Sequence, residues 1–193
     1  FAPWFEAKFA HFIAITRDAN AKLTSSAALA EIELTSTAEP EVKKFGILGA
    51  IATRSDSRGL GLAQSNIKKL EAMAWKHNLN GICLWSNQDE FYQKLGYVPV
   101  GRQKVLAVSD EKIALSRLGE NQSIENRWDV SQIASLYNEH KLRSVRSSDH
   151  WIFQEKISST KRYMFIEKEG GQKKIKAYLA YGRGLDMQDI VHE

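Results

Sequence analysis

The stretch from Ile47 to Ala63 constrains this chain more than any other. Residues Lys44 to Thr53 are largely apolar, with Gly46 and Gly49 set among Phe45, Ile47, Leu48, Ala50 and Ile51. A polar turn, Arg54 to Ser57, then leads into Arg58-Gly59-Leu60-Gly61-Leu62-Ala63. That last run opens a long amphipathic segment, so the stretch reads as a strand, a glycine loop and a helix. The N-terminus of a helix carries unpaired N–H groups and a partial positive charge, which favours phosphate. Gly59, Gly61 and Ala63 would let a diphosphate approach the main chain, and Arg58 adds charge at the rim. On the loop alone, a purely geometric role for the glycines is an equal reading. A Rossmann fingerprint is excluded because Gln64 stands where a third Gly is needed, and a Walker A loop because Gly-Lys-Ser/Thr is absent.

Downstream, Phe91-Tyr92-Gln93-Lys94-Leu95-Gly96-Tyr97 supplies a second motif. The first run resembles the Arg/Gln-x-x-Gly-x-Gly/Ala pyrophosphate loop of the GNAT acetyltransferase superfamily. The second resembles that family's Tyr-x-Lys-x-Gly-Phe/Tyr signature, in the same order along the chain. The resemblance covers residues 1–108. It implies an α/β fold with a mixed central sheet flanked by helices, and acetyl-CoA as acyl donor to a small-molecule or peptide amine. It also implies cofactor contacts from Ile51, Ala52 and Thr53 along the strand, from Arg58, Gly59, Leu60, Gly61, Leu62 and Ala63 in the loop, and from Asn87. Tyr92 takes the role of the acid that protonates the leaving thiolate. Here the chain departs from the family pattern, since Asn87 precedes Tyr92 by only five residues. No general base stands out; Glu31 and Glu33 alternate on one strand face, and Glu33 is the candidate that could act through water. The rival reading is a CoA-binding regulatory or scaffolding module without transfer activity.

The remaining chemistry is sparse. Cys83 is the sole cysteine of 193 residues, which excludes an intrachain disulfide and points to a reducing cytoplasm. Its apolar setting, Gly81-Ile82-Cys83-Leu84-Trp85, reads as a buried strand with a core thiol. His77 sits at a helix end, where it suits the C-terminal dipole. No spacing suggests a metal site or a Ser-His-Asp order. The net charge of +4 comes without a long basic block, so Lys161-Arg162 and Lys173-Lys174-Lys176 read as a solvated face rather than a nucleic-acid stripe. No apolar run reaches membrane-spanning length. The opening Phe1-Ala2-Pro3-Trp4 lacks a Met, which implies an incomplete N-terminus. Oligomeric state is not readable.

In chain order, Phe12 to Thr16 and Lys22 to Leu34 form an expected hairpin ahead of the central strand. Leu62 to His77 form a helix, Ile82 to Trp85 a parallel strand and Asp89 to Leu95 a short helix. Tyr97 to Gly101 with Lys104 to Val108 form a closing hairpin. Residues 109–193 are expected to be a second, partial GNAT-like α/β lobe. Its strand at 112–118, its helix over Trp128 to Tyr137 and its hairpin Tyr163 to Ala180 repeat the front of the first domain weakly, without a second glycine loop.

Overall fold

The computed structural model describes residues 11–101, 119, 122–126, 128–157 and 159–182. The chain divides into two compact units, one within Ala2–Gln103 and one within Lys104–Glu193. Trp4, Phe5 and Phe9, the strands expected at 104–108 and 112–118, and residues 183–193 lie outside the described residues.

In the first unit, β1 (His11–Arg17), β2 (Leu23–Ser36), β3 (Lys43–Thr53) and β4 (Gly81–Cys83) are hydrogen-bonded in that order. The first three are antiparallel neighbours, and β4 joins β3 in parallel, with Phe45 opposite Gly81 and Ile47 opposite Cys83. The β3–β4 crossover is α1 (Leu62–Lys76). Its buried stripe of Ile67, Leu70 and Ala74 packs on Ala14, Ala27, Leu29 and Leu48, while Lys68 and Lys69 face water. His77 is the C-cap of α1, donating its N–H to Met73, and its ring lies 4.6 Å from that of Phe12.

Three expectations change. The ladder with β3 ends at Cys83, so Cys83 is half-buried rather than sunk in a core, and Trp85 is 72% exposed. The short helix α2 spans Asp89–Gln93, and its chain is turned by Gly96. Tyr97 to Gly101 form no strand: Pro99 cannot donate to a ladder, Gly101 has φ +69°, and Val98 and Val100 are exposed.

The second unit has an antiparallel sheet in the order β5 (Gln122–Glu125), β7 (Lys161–Glu169), β8 (Gln172–Tyr181). With it go α3 (Val130–Asn138), the short β6 (Leu142–Ser144) and α4 (Ser148–Glu155). The Asp129 carboxylate caps α3, and Ser147 with His150 forms a capping box on α4. Ile133, Tyr137, Trp151, Met164, Ile166 and Ile175 make its core. The Arg162 guanidinium ties β7 to the end of α4 by donating to the carbonyls of Gln154, Ile157 and Thr160. No parallel crossover or glycine loop occurs among the described residues of this unit. No described helix is long and apolar enough to cross a membrane.

Candidate active site

The site begins where β3 is interrupted. Ser26 pairs with Ala52, yet Ala28 pairs with Gly49, so Ala50 and Ile51 stand against the single residue Ala27. This is a β-bulge, and Ala50 occupies it at φ +50°, a left-handed conformation that costs an L-residue about 1–2 kcal/mol. Ser26 Oγ donates to the Ala50 carbonyl at 3.2 Å and holds the kink. Beyond it, Ser25 Oγ donates to the Ala52 carbonyl at 3.0 Å and lies 3.0 Å from Thr53 Oγ1, whose hydroxyl can then donate to it. The end of β3 is thus pinned from β2 by side chains as well as by the ladder.

The loop follows directly. Arg54 is held by Asp18 at 3.2 Å and Asp56 at 2.6 Å, so its charge is spent on bracing the turn. Arg58 is different: its Nε reaches only the Thr53 carbonyl, at 3.4 Å, and it stays exposed at the rim. Gly59 and Gly61 have φ +79° and +69°, and a Cβ built on either meets nothing within 4 Å among the described residues. Their backbone demands glycine while the space in front of them stays open. Gly61 is the N-cap of α1 with no side-chain cap, and the amides of Gly59 to Ala63 find no backbone acceptor among the described residues. An open, uncapped nest of N–H groups fits a diphosphate.

A cavity of about 720 Å³ joins these pieces. Ile51, Ala52 and Thr53 line one side, Arg58, Gly59, Gly61, Leu62 and Ala63 the floor, and Gln88, Phe91 and Tyr92 the far wall. Tyr92 rides on α2, its ring edge-on to Phe91 at 5.0 Å and to Tyr97 at 6.0 Å. Burial pushes the Tyr92 phenol above its ordinary value, opposed by the Ser86 hydroxyl. It therefore carries its proton at neutral pH. Burial also pushes the Tyr97 phenol up, with the Glu71 carboxylate adding to the effect, and no other described residue gives its hydroxyl a well-formed hydrogen bond.

Of the residues singled out in the sequence, Ile51, Ala52, Thr53, Arg58, Gly59, Gly61, Leu62, Ala63 and Tyr92 meet at this cavity. Leu60 does not line it and is 70% exposed. Gln88, the N-cap of α2, lines the wall where Asn87 was expected. Glu33 is elsewhere. It pairs with Lys44, seven positions along β2 from Ser26, or roughly 23 Å at strand rise. There it faces the Lys44 ammonium at 3.8 Å, beside the Glu31–Lys44 pair at 3.0 Å. Ser57, Gln64 and the bulge were not anticipated; the small pair Gly49-Ala50 was the only hint of the bulge. No group of three His, Cys, Asp or Glu side chains among the described residues is placed to hold a metal ion.

No protein-family model and no curated protein matches this chain. Among solved structures it is similar to an acetyltransferase from Trypanosoma brucei, at 20% identity over 51% of this chain and 69% of that one, with a TM-score of 0.44. It is similar to glucosamine-6-phosphate N-acetyltransferase from Arabidopsis thaliana at 16% identity, over 51% and 67% of the two chains, with a TM-score of 0.43. A predicted acetyltransferase from Clostridium acetobutylicum with acetyl-CoA is 24% identical over 50% and 64%, with a TM-score of 0.44. The fold itself follows from this chain's own backbone: an antiparallel hairpin, a bulged third strand, and a glycine loop leading into the crossover helix and a parallel fourth strand. The first unit is thus a mixed α/β unit, with α1 crossing from β3 to the parallel β4.

Proposed function

We propose that the first unit is an acetyl-CoA-dependent N-acetyltransferase acting directly on an amine. The observation that carries this reading is the single cavity bringing the uncapped loop at Gly59 to Ala63 and the protonated Tyr92 phenol together. The amides of the loop and the Arg58 guanidinium hold the diphosphate, and the pinned strand end at Ile51 to Thr53 guides the pantetheine arm. Acetyl-CoA supplies the acyl group as a thioester, whose carbon–sulfur bond is exchanged for a carbon–nitrogen bond. Tyr92 Oη holds the proton that the departing sulfur takes up. The proton released by the amine leaves to solvent, because no Asp, Glu or His lines the cavity among the described residues. That same observation favours a second reading, a CoA-binding module without transfer.

Release of free CoA thiol across a panel of alkyl and peptide amines separates the two. Binding of acetyl-CoA without amine-dependent thiol release supports the binding module. Amine-dependent release that falls in Tyr92→Phe supports the transferase.

A further inference from the structure

The polar side chains that line the cavity among the described residues are Thr53, Ser57, Arg58, Gln64, Gln88 and Tyr92. Arg58 is a cation, Tyr92 is a phenol that burial keeps protonated, and the others are neutral. The acids closest in the chain do not line it. Asp56 accepts from Arg54 at 2.6 Å and from the Ser57 hydroxyl at 2.8 Å. Glu71 of α1 interacts with the Tyr97 phenol, and its charge helps to keep that proton in place. Asp89 and Glu90, in the first turn of α2, are exposed.

Attack on a thioester needs the nitrogen lone pair, so an ammonium must lose a proton first. In this cavity Arg58 offers an ammonium only repulsion, and Tyr92 already holds the proton it is to donate. Deprotonation therefore falls to water, before the amine arrives. At neutral pH an α-amine, near 7.7–8.0, is about one part in seven neutral, whereas an alkyl ε-amine, near 10.4, is about one part in 2,500. Resting on the acetyl-transfer reading above, we propose that the acceptor is a weakly basic primary amine, such as the α-amine of an amino-acid amide or peptide, taken in its neutral form. Its nitrogen bonds to the acetyl carbon, the carbon–sulfur bond breaks, and the sulfur takes the Tyr92 proton. The proton shed by the nitrogen passes to water, from which Tyr92 is reprotonated. The neutral form of a stronger base is the better nucleophile, which narrows the difference and leaves a preference of roughly tenfold or more.

The test is thiol release from acetyl-CoA by the full chain, with alanine amide and a glycyl dipeptide as weak bases and Nα-acetyl-lysine amide and ethylamine as strong ones. Over roughly pH 6 to 9, kcat/KM on total amine should rise about tenfold per pH unit up to each amine's own pKa. The weak bases should level off near their own values while the strong ones still climb, and the weak bases should lead by about tenfold or more at neutral pH. A profile that breaks at one shared pH for all four amines would reveal a base on the protein and overturn the proposal. Strong bases leading at neutral pH would overturn it as well, and both results leave acetyl transfer standing. Melting of the chain with and without acetyl-CoA gives the binding readout apart from turnover. A raised midpoint with no thiol release from any of the four overturns the transfer reading and this proposal together, and an unraised midpoint with no release overturns the CoA reading too.

Discussion

The Thr16 hydroxyl on β1 donates to Asn66 Oδ1 on α1 at 3.0 Å, and Asn66 is wholly buried. This bond crosses from the sheet to the second turn of the helix whose N-terminus forms the glycine loop. Asn66 Nδ2 has no partner among the described residues, so only half of the amide is satisfied by them. Removing the side chain loses the bond to Thr16 and leaves a small void, while relieving the unpaired donor. Asn66→Ala is expected to cost about 1–3 kcal/mol in urea unfolding. An unchanged midpoint would mean that the Thr16 bond contributes nothing to docking α1.

Two glycines three residues apart on β3 should respond oppositely to a methyl group. A Cβ on Gly46 would lie 2.6 Å from Leu29 Cδ1, and Leu29 is wholly buried in the core beside Ile67 and Leu70. A Cβ on Gly49 meets nothing within 4 Å among the described residues. Gly46→Ala should therefore destabilise by about 1–3 kcal/mol through overpacking, whereas Gly49→Ala should be near neutral. Paired thermal melts decide it, and equal shifts would contradict this packing.

The brace between the β1–β2 turn and the loop should show in acid. Asp18 accepts N–H groups from Lys22 at 3.0 Å and Asn20 at 2.9 Å, and it faces Arg54. Its carboxyl is held below the ordinary value of 3.8, first by the Lys22 backbone bond and then by the Arg54 and Asn20 bonds against some desolvation. A depressed folded-state value means that the stabilisation is full above 3.8 and is lost as pH falls through the lowered value. The parent should melt above Asp18→Asn at pH 6, and the gap should close as pH drops below 3.8. A gap that persists in strong acid would place the effect outside ionisation.

The strand, loop and helix from β3 to α1 were legible because both signals are local: a short apolar run gives way to a 3.6-residue period across a run of small residues. Tertiary register was not. Alternation shows that Glu31 and Glu33 share a face, but it gives no position along β2, and register carries Glu33 to Lys44 at the far end of the sheet from the loop. The bulge at Ala50 leaves no trace in the sequence beyond the small pair Gly49-Ala50, since an Ala at positive φ is imposed by its neighbours. The replacement of Asn87 by Gln88 follows from where α2 begins. With Asp89 as first helical residue, Gln88 is the N-cap and turns into the cavity wall.

Tyr92 offers the sharpest test of the chemistry. Its ring is fixed by Phe91 and Tyr97, so Tyr92→Phe removes one hydroxyl without disturbing the wall of the cavity. If that hydroxyl supplies the proton, kcat should fall by about 10²-fold while the affinity for acetyl-CoA stays within a factor of about two. Burial raises the phenol above its ordinary value of 10.0, so the acid form persists to higher pH than in a free tyrosine. The alkaline fall in rate due to this group should accordingly lie above pH 10.0 in the parent and be absent from the residual rate of the variant. Pre-steady-state thiol release at several pH values reads both effects. A variant with the parent's rate would remove Tyr92 from the chemistry and leave it as packing between Phe91 and Tyr97.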